Sequence, residues 1–209
     1  MLNLHVVMFS WAGRSTSIMD FRQKLFQYRS YTPIPFLVAM VFLAHSTFVS
    51  LVAGLLFAII GESLRLWGVS FAGGETRTRG PVGGSKLVTQ GPFAYVRNPL
   101  YLGNMLIYFG IGIMANVPIL ALASLIYFFV QYTLIVSLEE ESLLKLFGTH
   151  YTDYVQAVPR FIPSFSRYKD NNTVKFECSW KKGITSEKRS LQAICLASLL
   201  LIFLWYLRS

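Results

Sequence analysis

The stretch NPLYLGNMLIYFGIGIMANVPILALASLIYFFVQYTLIVSL, residues 98–138, runs for 41 positions without an Asp, Glu, Lys or Arg. As one helix it would be roughly 60 Å long, about twice the hydrocarbon thickness of a bilayer, so the chain must fold back within it. The reversal reads at Asn116-Val117-Pro118. Pro118 lacks an N–H, and the residue before a proline leaves the helical region. Two spans follow, at about 99–115 and 118–138.

Working outward, a second uncharged run covers Ser30–Gly61, and its apolar character continues past Glu62 and Arg65 to Phe71. It too exceeds one crossing. The reversal expected there is Ala44-His45-Ser46-Thr47, giving spans of about 34–45 and 48–70. A last apolar run, 191–207, sits at the lower limit for a spanning helix. The composition of the 209 residues agrees: 54% are hydrophobic, only 14% are charged, and the mean hydropathy is +0.48. Such a chain is neither disordered nor an ordinary soluble domain, in which about a quarter of residues are charged. The fold class expected is all-α, a polytopic integral membrane protein with about five transmembrane helices.

Nineteen Lys and Arg against ten Asp and Glu leave a charge of +9, which in a soluble domain would raise nucleic-acid binding first. Their distribution points elsewhere. With two hairpins and a fifth span, residues 1–33 carry four basic side chains, 72–99 four and 142–190 nine, so seventeen of nineteen fall on one membrane face. The positive-inside rule makes that face cytoplasmic, and no nucleic acid is needed to explain the charge. The expected organisation is a cytoplasmic segment 1–33, a membrane core 34–163, a cytoplasmic linker 164–190 and a terminal helix 191–207. Arg14, Arg22, Lys24 and Arg29 follow the short apolar start where a secretory signal would have its cleavage site. Gly73-Gly74, Gly80-Pro81 and Gly83-Gly84 mark a flexible loop on the basic side.

Two places could carry chemistry. The first is Leu87 to Gly103, where a basic loop enters a membrane helix at Pro99, a residue suited to the first helical turn. The free N–H groups of that turn can hold a carboxylate. The same residues also suit an interfacial belt, with Tyr95, Arg97 and Tyr101 at headgroup level. The second place is Glu139-Glu140-Glu141, at the end of the fourth span. Three adjacent carboxylates at a helix C-terminus beside a bilayer are badly placed for a purely structural role, so an offsetting cation is expected. Glu62 and Arg65, at i and i+3, can pair with each other. His45 and His150 have no partner at ligand spacing, Cys178 and Cys195 form no CxxC, and no metal site is expected. Gly110-Ile111-Gly112 reads as a helix-packing surface.

Together the two segments carry a resemblance. Leu87-Val88-Thr89-x-Gly91-Pro92-Phe93-x-x-Val96-Arg97-Asn98-Pro99-x-Tyr101-x-Gly103, then Glu139-Glu140, then Phe147-Gly148-x-x-Tyr151-x-x-Tyr154-x-x-x-Val158-Pro159 is similar to the isoprenylcysteine carboxyl methyltransferase family and its phospholipid methyltransferase relatives. The resemblance covers about residues 50–163. It implies a multi-pass membrane enzyme using S-adenosylmethionine at the cytoplasmic mouth, with a lipidic or prenylated substrate among membrane lipids. Carried over, the cofactor contacts fall on Leu87, Val88, Phe93, Asn98, Pro99, Leu100, Tyr101, Glu139 and Glu140. Glu140 and Tyr101 are the catalytic candidates, and Arg97 and Arg160 the substrate-binding ones. Asn98 stands where the family motif carries histidine, and Ile135 where eukaryotic prenylcysteine enzymes carry an arginine. Carboxyl O-methylation of an isoprenylcysteine-like substrate is the leading expectation. Phospholipid or other lipid-amine N-methylation is the alternative, followed by an NADPH-dependent sterol-type reductase and a non-enzymatic membrane scaffold.

Overall fold

The computed structural model describes residues 21–73, 86–170 and 176–208, and every regular element among them is helical. Residues 21–28 form α1, followed by α2 (Pro33–Phe42) and α3 (Phe48–Ala72). A 3-10 turn at Gly91–Ala94 leads into α4 (Pro99–Met114), α5 (Pro118–Phe147), α6 (Thr149–Ala157) and α7 (Trp180–Arg208). Residues 1–20 and most of the glycine-rich loop, 74–85, lie outside the described residues.

Among the described residues three helices, α3, α5 and α7, are long and apolar enough to cross a membrane, and α2 and α4 are shorter apolar helices. The protein is therefore a polytopic helical membrane protein. Outward-facing Ile59, Ile60, Leu122, Ile126, Leu199 and Phe203 are all exposed, as side chains against lipid are. Three extents differ from the hydropathy reading. The ten residues of α2 rise about 15 Å, half of a bilayer's apolar thickness, where a span to about residue 45 is expected. Helix α5 continues beyond Leu138 to Phe147, carrying all three glutamates on helical backbone. Helix α7 begins at Trp180, so the part of the expected linker 164–190 from Trp180 onward is helix.

Both reversals have a local cause. Asn116 takes a positive φ of 55° and Pro118 starts α5. At the earlier reversal Thr47 caps α3: its hydroxyl accepts from the Ser50 N–H at 3.1 Å, while the Thr47 N–H donates to Ser50 Oγ at 2.9 Å. The two turns also hold each other, since the His45 N–H donates to the Ala115 carbonyl at 2.9 Å and the Asn116 amide to the His45 carbonyl at 3.1 Å.

Antiparallel α3 and α4 pack most closely of all the helices because glycines face glycines. A Cβ at Gly61 would lie 2.6 Å from the Gly103 carbonyl oxygen, and one at Gly110 would lie 2.6 Å from that of Gly54. Small residues let backbones approach, which drives helix association where lipid removes the hydrophobic effect. Gly112 in turn packs on Ala121 of α5. This contact fixes α4, and with it the Pro99 turn that opens onto the site.

Candidate active site

The segment before α4 has little regular structure of its own, and α6 with the chain after it pins it. Tyr154 donates its hydroxyl to the Phe93 carbonyl at 2.7 Å. The Tyr168 and Ser164 N–H groups donate to the Ala94 and Tyr95 carbonyls at 2.9 and 2.8 Å. The Arg97 N–H donates to the Pro159 carbonyl at 2.9 Å, and the Asn98 amide to the Arg160 carbonyl at 3.2 Å. Burial pushes the Tyr154 hydroxyl well above the usual tyrosine range, so it stays protonated and remains a donor. The two motif segments thus form one unit.

They enclose a cavity of about 1190 Å³. All nine side chains that the resemblance assigns to the cofactor line it: Leu87, Val88, Phe93, Asn98, Pro99, Leu100, Tyr101, Glu139 and Glu140. Asn98 makes no side-chain cap to α4, and the first i to i−4 bond of that helix runs from the Leu102 N–H to the Asn98 carbonyl at 3.1 Å. The N–H groups of Leu100 and Tyr101 precede it, in the turn where helices leave donors over for a ligand.

The structure sorts the three glutamates. Glu141 binds Arg22, with Oε1 2.7 Å from Nη1, and the same guanidinium donates to Ser137 Oγ at 3.0 Å. Glu140 is gripped by two arginines. Arg97 Nη2 lies 3.2 Å from its Oε1, and Arg160 donates to both its oxygens through Nε and Nη2. The offsetting cations expected for these two carboxylates therefore come from the chain itself. Arg97 and Arg160, the substrate-binding candidates, are both spent on this clamp; Arg97 lines the cavity and Arg160 does not. Glu139 differs. It faces the cavity, accepts the Tyr101 hydroxyl at 2.8 Å, and has no basic side chain at ion-pair distance among the described residues. A half-buried carboxylate so placed, beside free helix-start donors, is complementary to a ligand carrying both a cation and a carboxylate.

Several lining residues lie outside the resemblance. Phe26, Tyr28, Arg29 and Tyr31 come from α1 and the turn after it, and Glu187, Arg189 and Ser190 come from α7. Nothing in their spacing marks them, because they sit in segments that read as a basic flank and a polar linker. The Glu62–Arg65 pair forms as expected, with Nε to Oε2 at 3.5 Å, but Arg65 also binds Asn104 and Glu187. Ile135 is fully buried in an aromatic cluster with Phe128 and Tyr132. His150 pairs with Asp170 at 2.8 Å, and among the described residues no three His, Cys, Asp or Glu side chains gather as a metal-binding group.

A helical membrane protein whose mouth holds this cavity matches a known group of sequences. Residues 49–150 match the phospholipid methyltransferase family. The chain is 35% identical over 125 residues to protein-S-isoprenylcysteine O-methyltransferase of Tribolium castaneum, covering 56% of this chain and 42% of that protein. It is 31% identical over 113 residues to protein-S-isoprenylcysteine O-methyltransferase B of Arabidopsis thaliana, covering 53% and 57%. It is also 28% identical over 169 residues to a cobalt-zinc-cadmium resistance protein of Cupriavidus metallidurans, covering 76% and 70%. The chain thus spans about half the length of the two methyltransferases. The segment 49–150, which holds the Pro99 turn and the glutamates, is the part of the chain that matches the phospholipid methyltransferase family.

Proposed function

We propose that the cavity binds S-adenosylmethionine and that the protein moves its methyl group to a lipidic acceptor, with the carboxylate of an isoprenylcysteine-like molecule as the leading acceptor. One observation carries this reading: nine side chains from two segments, drawn together by the α4–α5 hairpin, line a single cavity, and among the described residues Glu139 is its carboxylate without an ion pair. The first-turn amides of α4 would hold the ligand's carboxylate, and Glu139 its positive charge. Leu87, Val88 and Phe93 supply apolar and aromatic walls. The basic blocks support a cytoplasmic mouth by the positive-inside rule.

S-Adenosylmethionine supplies a methyl group on a cationic sulfur, open to in-line displacement. The chain's part is then positioning and exclusion of water. A carboxylate acceptor is already ionised near neutral pH and needs no base. An amine acceptor must lose a proton, and Glu140, held by two arginines, is a poor site for it; the Tyr101–Glu139 pair is the better one. A lipid amine is the second reading, favoured by the phospholipid methyltransferase match and by the absence of a guanidinium at Ile135.

Calorimetry on the detergent-purified protein tests the site: S-adenosylhomocysteine binds, and Glu139→Ala abolishes binding. Binding indifferent to that change overturns the assignment. Transfer of tritiated methyl followed by base treatment separates the acceptors, since volatile methanol is released only from an ester.

A further inference from the structure

Helix α7 lies outside the matched segment 49–150, yet Glu187, Arg189 and Ser190 line the cavity. Its approach to α3 is specific. Gly183 packs so tightly that a Cβ there would sit 2.4 Å from Ser70 Oγ, and the Ser179 N–H donates to the Ser70 carbonyl at 2.9 Å. One turn further, Glu187, 1% exposed, meets Arg65 of α3 in an ion pair. A carboxylate that deep needs a bound cation, and Arg65 supplies it. Ser190 donates to Glu62 Oε2 at 3.3 Å, closing the group from the next turn of α7.

The consequence reaches into the cavity. Arg65, fixed by Glu62 and Glu187, donates to the Asn104 side-chain oxygen, and the Asn104 amide donates to the Tyr132 hydroxyl at 3.3 Å. Tyr132 stacks on Tyr101 with ring centroids 4.6 Å apart. Arg65, Asn104 and Tyr132 all line the cavity, and Asn104 lies further along α4 from the Pro99 turn than Tyr101. The residues assigned to the methyl donor cluster at the mouth, so the second reactant has this deeper polar floor. Beyond it α7 is a lipid-facing span, with Leu196, Leu199 and Phe203 exposed, so its charged contact with the cavity is confined to its first turns.

We propose that α7 is the acceptor wall of the cavity and that Glu187 is a positioning residue. It holds the Arg65 guanidinium against Asn104, so that the floor under the acceptor's head group keeps its shape. This rests on the methyltransferase reading and adds to it the part of the chain that selects the acceptor.

The test uses the full chain in detergent or lipid discs. It combines S-adenosylhomocysteine affinity by calorimetry with steady-state transfer to N-acetyl-S-farnesylcysteine and, separately, to phosphatidylethanolamine vesicles. Glu187→Gln keeps the shape and removes the charge. The acceptor KM rises about five-fold or more, while the Kd for S-adenosylhomocysteine stays within about two-fold. Ser190→Val, a smaller change at a half-buried site, shifts KM the same way and carries the test if Glu187→Gln does not fold. Lys188→Ala, exposed and away from the cavity, changes neither. An unchanged acceptor KM in both variants, or KM and Kd moving together, overturns the proposal. Failure of the wild-type protein to bind S-adenosylhomocysteine defeats the proposed function instead. Binding without transfer to either probe overturns the acceptor wall.

Discussion

The Tyr101 hydroxyl donates to Glu139 Oε1 across 2.8 Å, joining the first turn of α4 to the far end of α5. The contact exists because the Asn116–Pro118 reversal lays two long helices side by side, returning residue 139 to the level of residue 101. Donors at a helix start and a carboxylate then face one space, which neither segment could offer alone.

Removing that hydroxyl should weaken ligand binding without ending it. Tyr101→Phe keeps the ring stacked on Tyr132 and leaves Glu139 in place, so S-adenosylhomocysteine affinity should fall about ten-fold, the worth of one hydrogen bond to a charged group. Calorimetry reads this directly, and an unaltered Kd would show that the hydroxyl is not part of the site.

Glu140 should matter for stability rather than for binding. Glu140→Ala leaves Arg97, largely buried, without its counter-charge, and breaking such a pair costs about 3–5 kcal/mol. Arg160→Ala should cost less, because Arg97 still satisfies the carboxylate and Arg160 is itself 36% exposed. Denaturant unfolding in detergent should rank Glu140→Ala below both Arg160→Ala and Glu139→Ala in stability; equal losses would contradict the clamp.

Close approach of α3 and α4 should not tolerate one methyl group at Gly61. The added Cβ would meet backbone, the Gly103 carbonyl, rather than a side chain able to rotate away. Overpacking of this kind costs about 1–3 kcal/mol. Gly61→Ala should unfold earlier and lose ligand affinity, because α4 carries the Pro99 turn. Gly148→Ala, with open space around its Cβ site but a φ of 54°, should cost only local strain and spare affinity.

Alkaline pH should loosen the strap over residues 93–98. Burial raises the Tyr154 hydroxyl above its unfolded value of about 10, so its contribution to stability is complete below that pH and is lost as pH rises beyond it. Thermal unfolding should hold steady up to about pH 10 and then fall, and Tyr154→Phe should flatten the fall.

Some of this was legible from residues alone, for local reasons. Pro118 ends one helix and starts another wherever it stands. The reversal at 44–47 has neither Gly nor Pro and follows from an apolar run too long for one crossing; the capping box of Thr47 and Ser50 that shapes it is a finding of the structure. The short α2 was not legible, because hydropathy measures preference for lipid and not where the chain is drawn aside; His45 is pulled onto Ala115, 70 residues away. The start of α7 was hidden too. A segment with Lys181, Lys182, Glu187, Lys188 and Arg189 reads as a solvated linker until Arg65 neutralises Glu187 and Gly183 seats on Ser70.

By itself, then, the sequence determined an all-helical membrane chain, its two sharp reversals, and the two segments that meet at the cavity. These follow from hydropathy, proline geometry and charge counts, which act over a few neighbouring residues. Tertiary structure decided which of the three glutamates receive a cation, and so which carboxylate has no ion pair among the described residues. Arg22, Arg97 and Arg160 reach Glu141 and Glu140 from three separate parts of the chain, and Arg65 reaches Glu187 across 122 positions. Ion pairs form by distance in space, and only the packed helices set that distance.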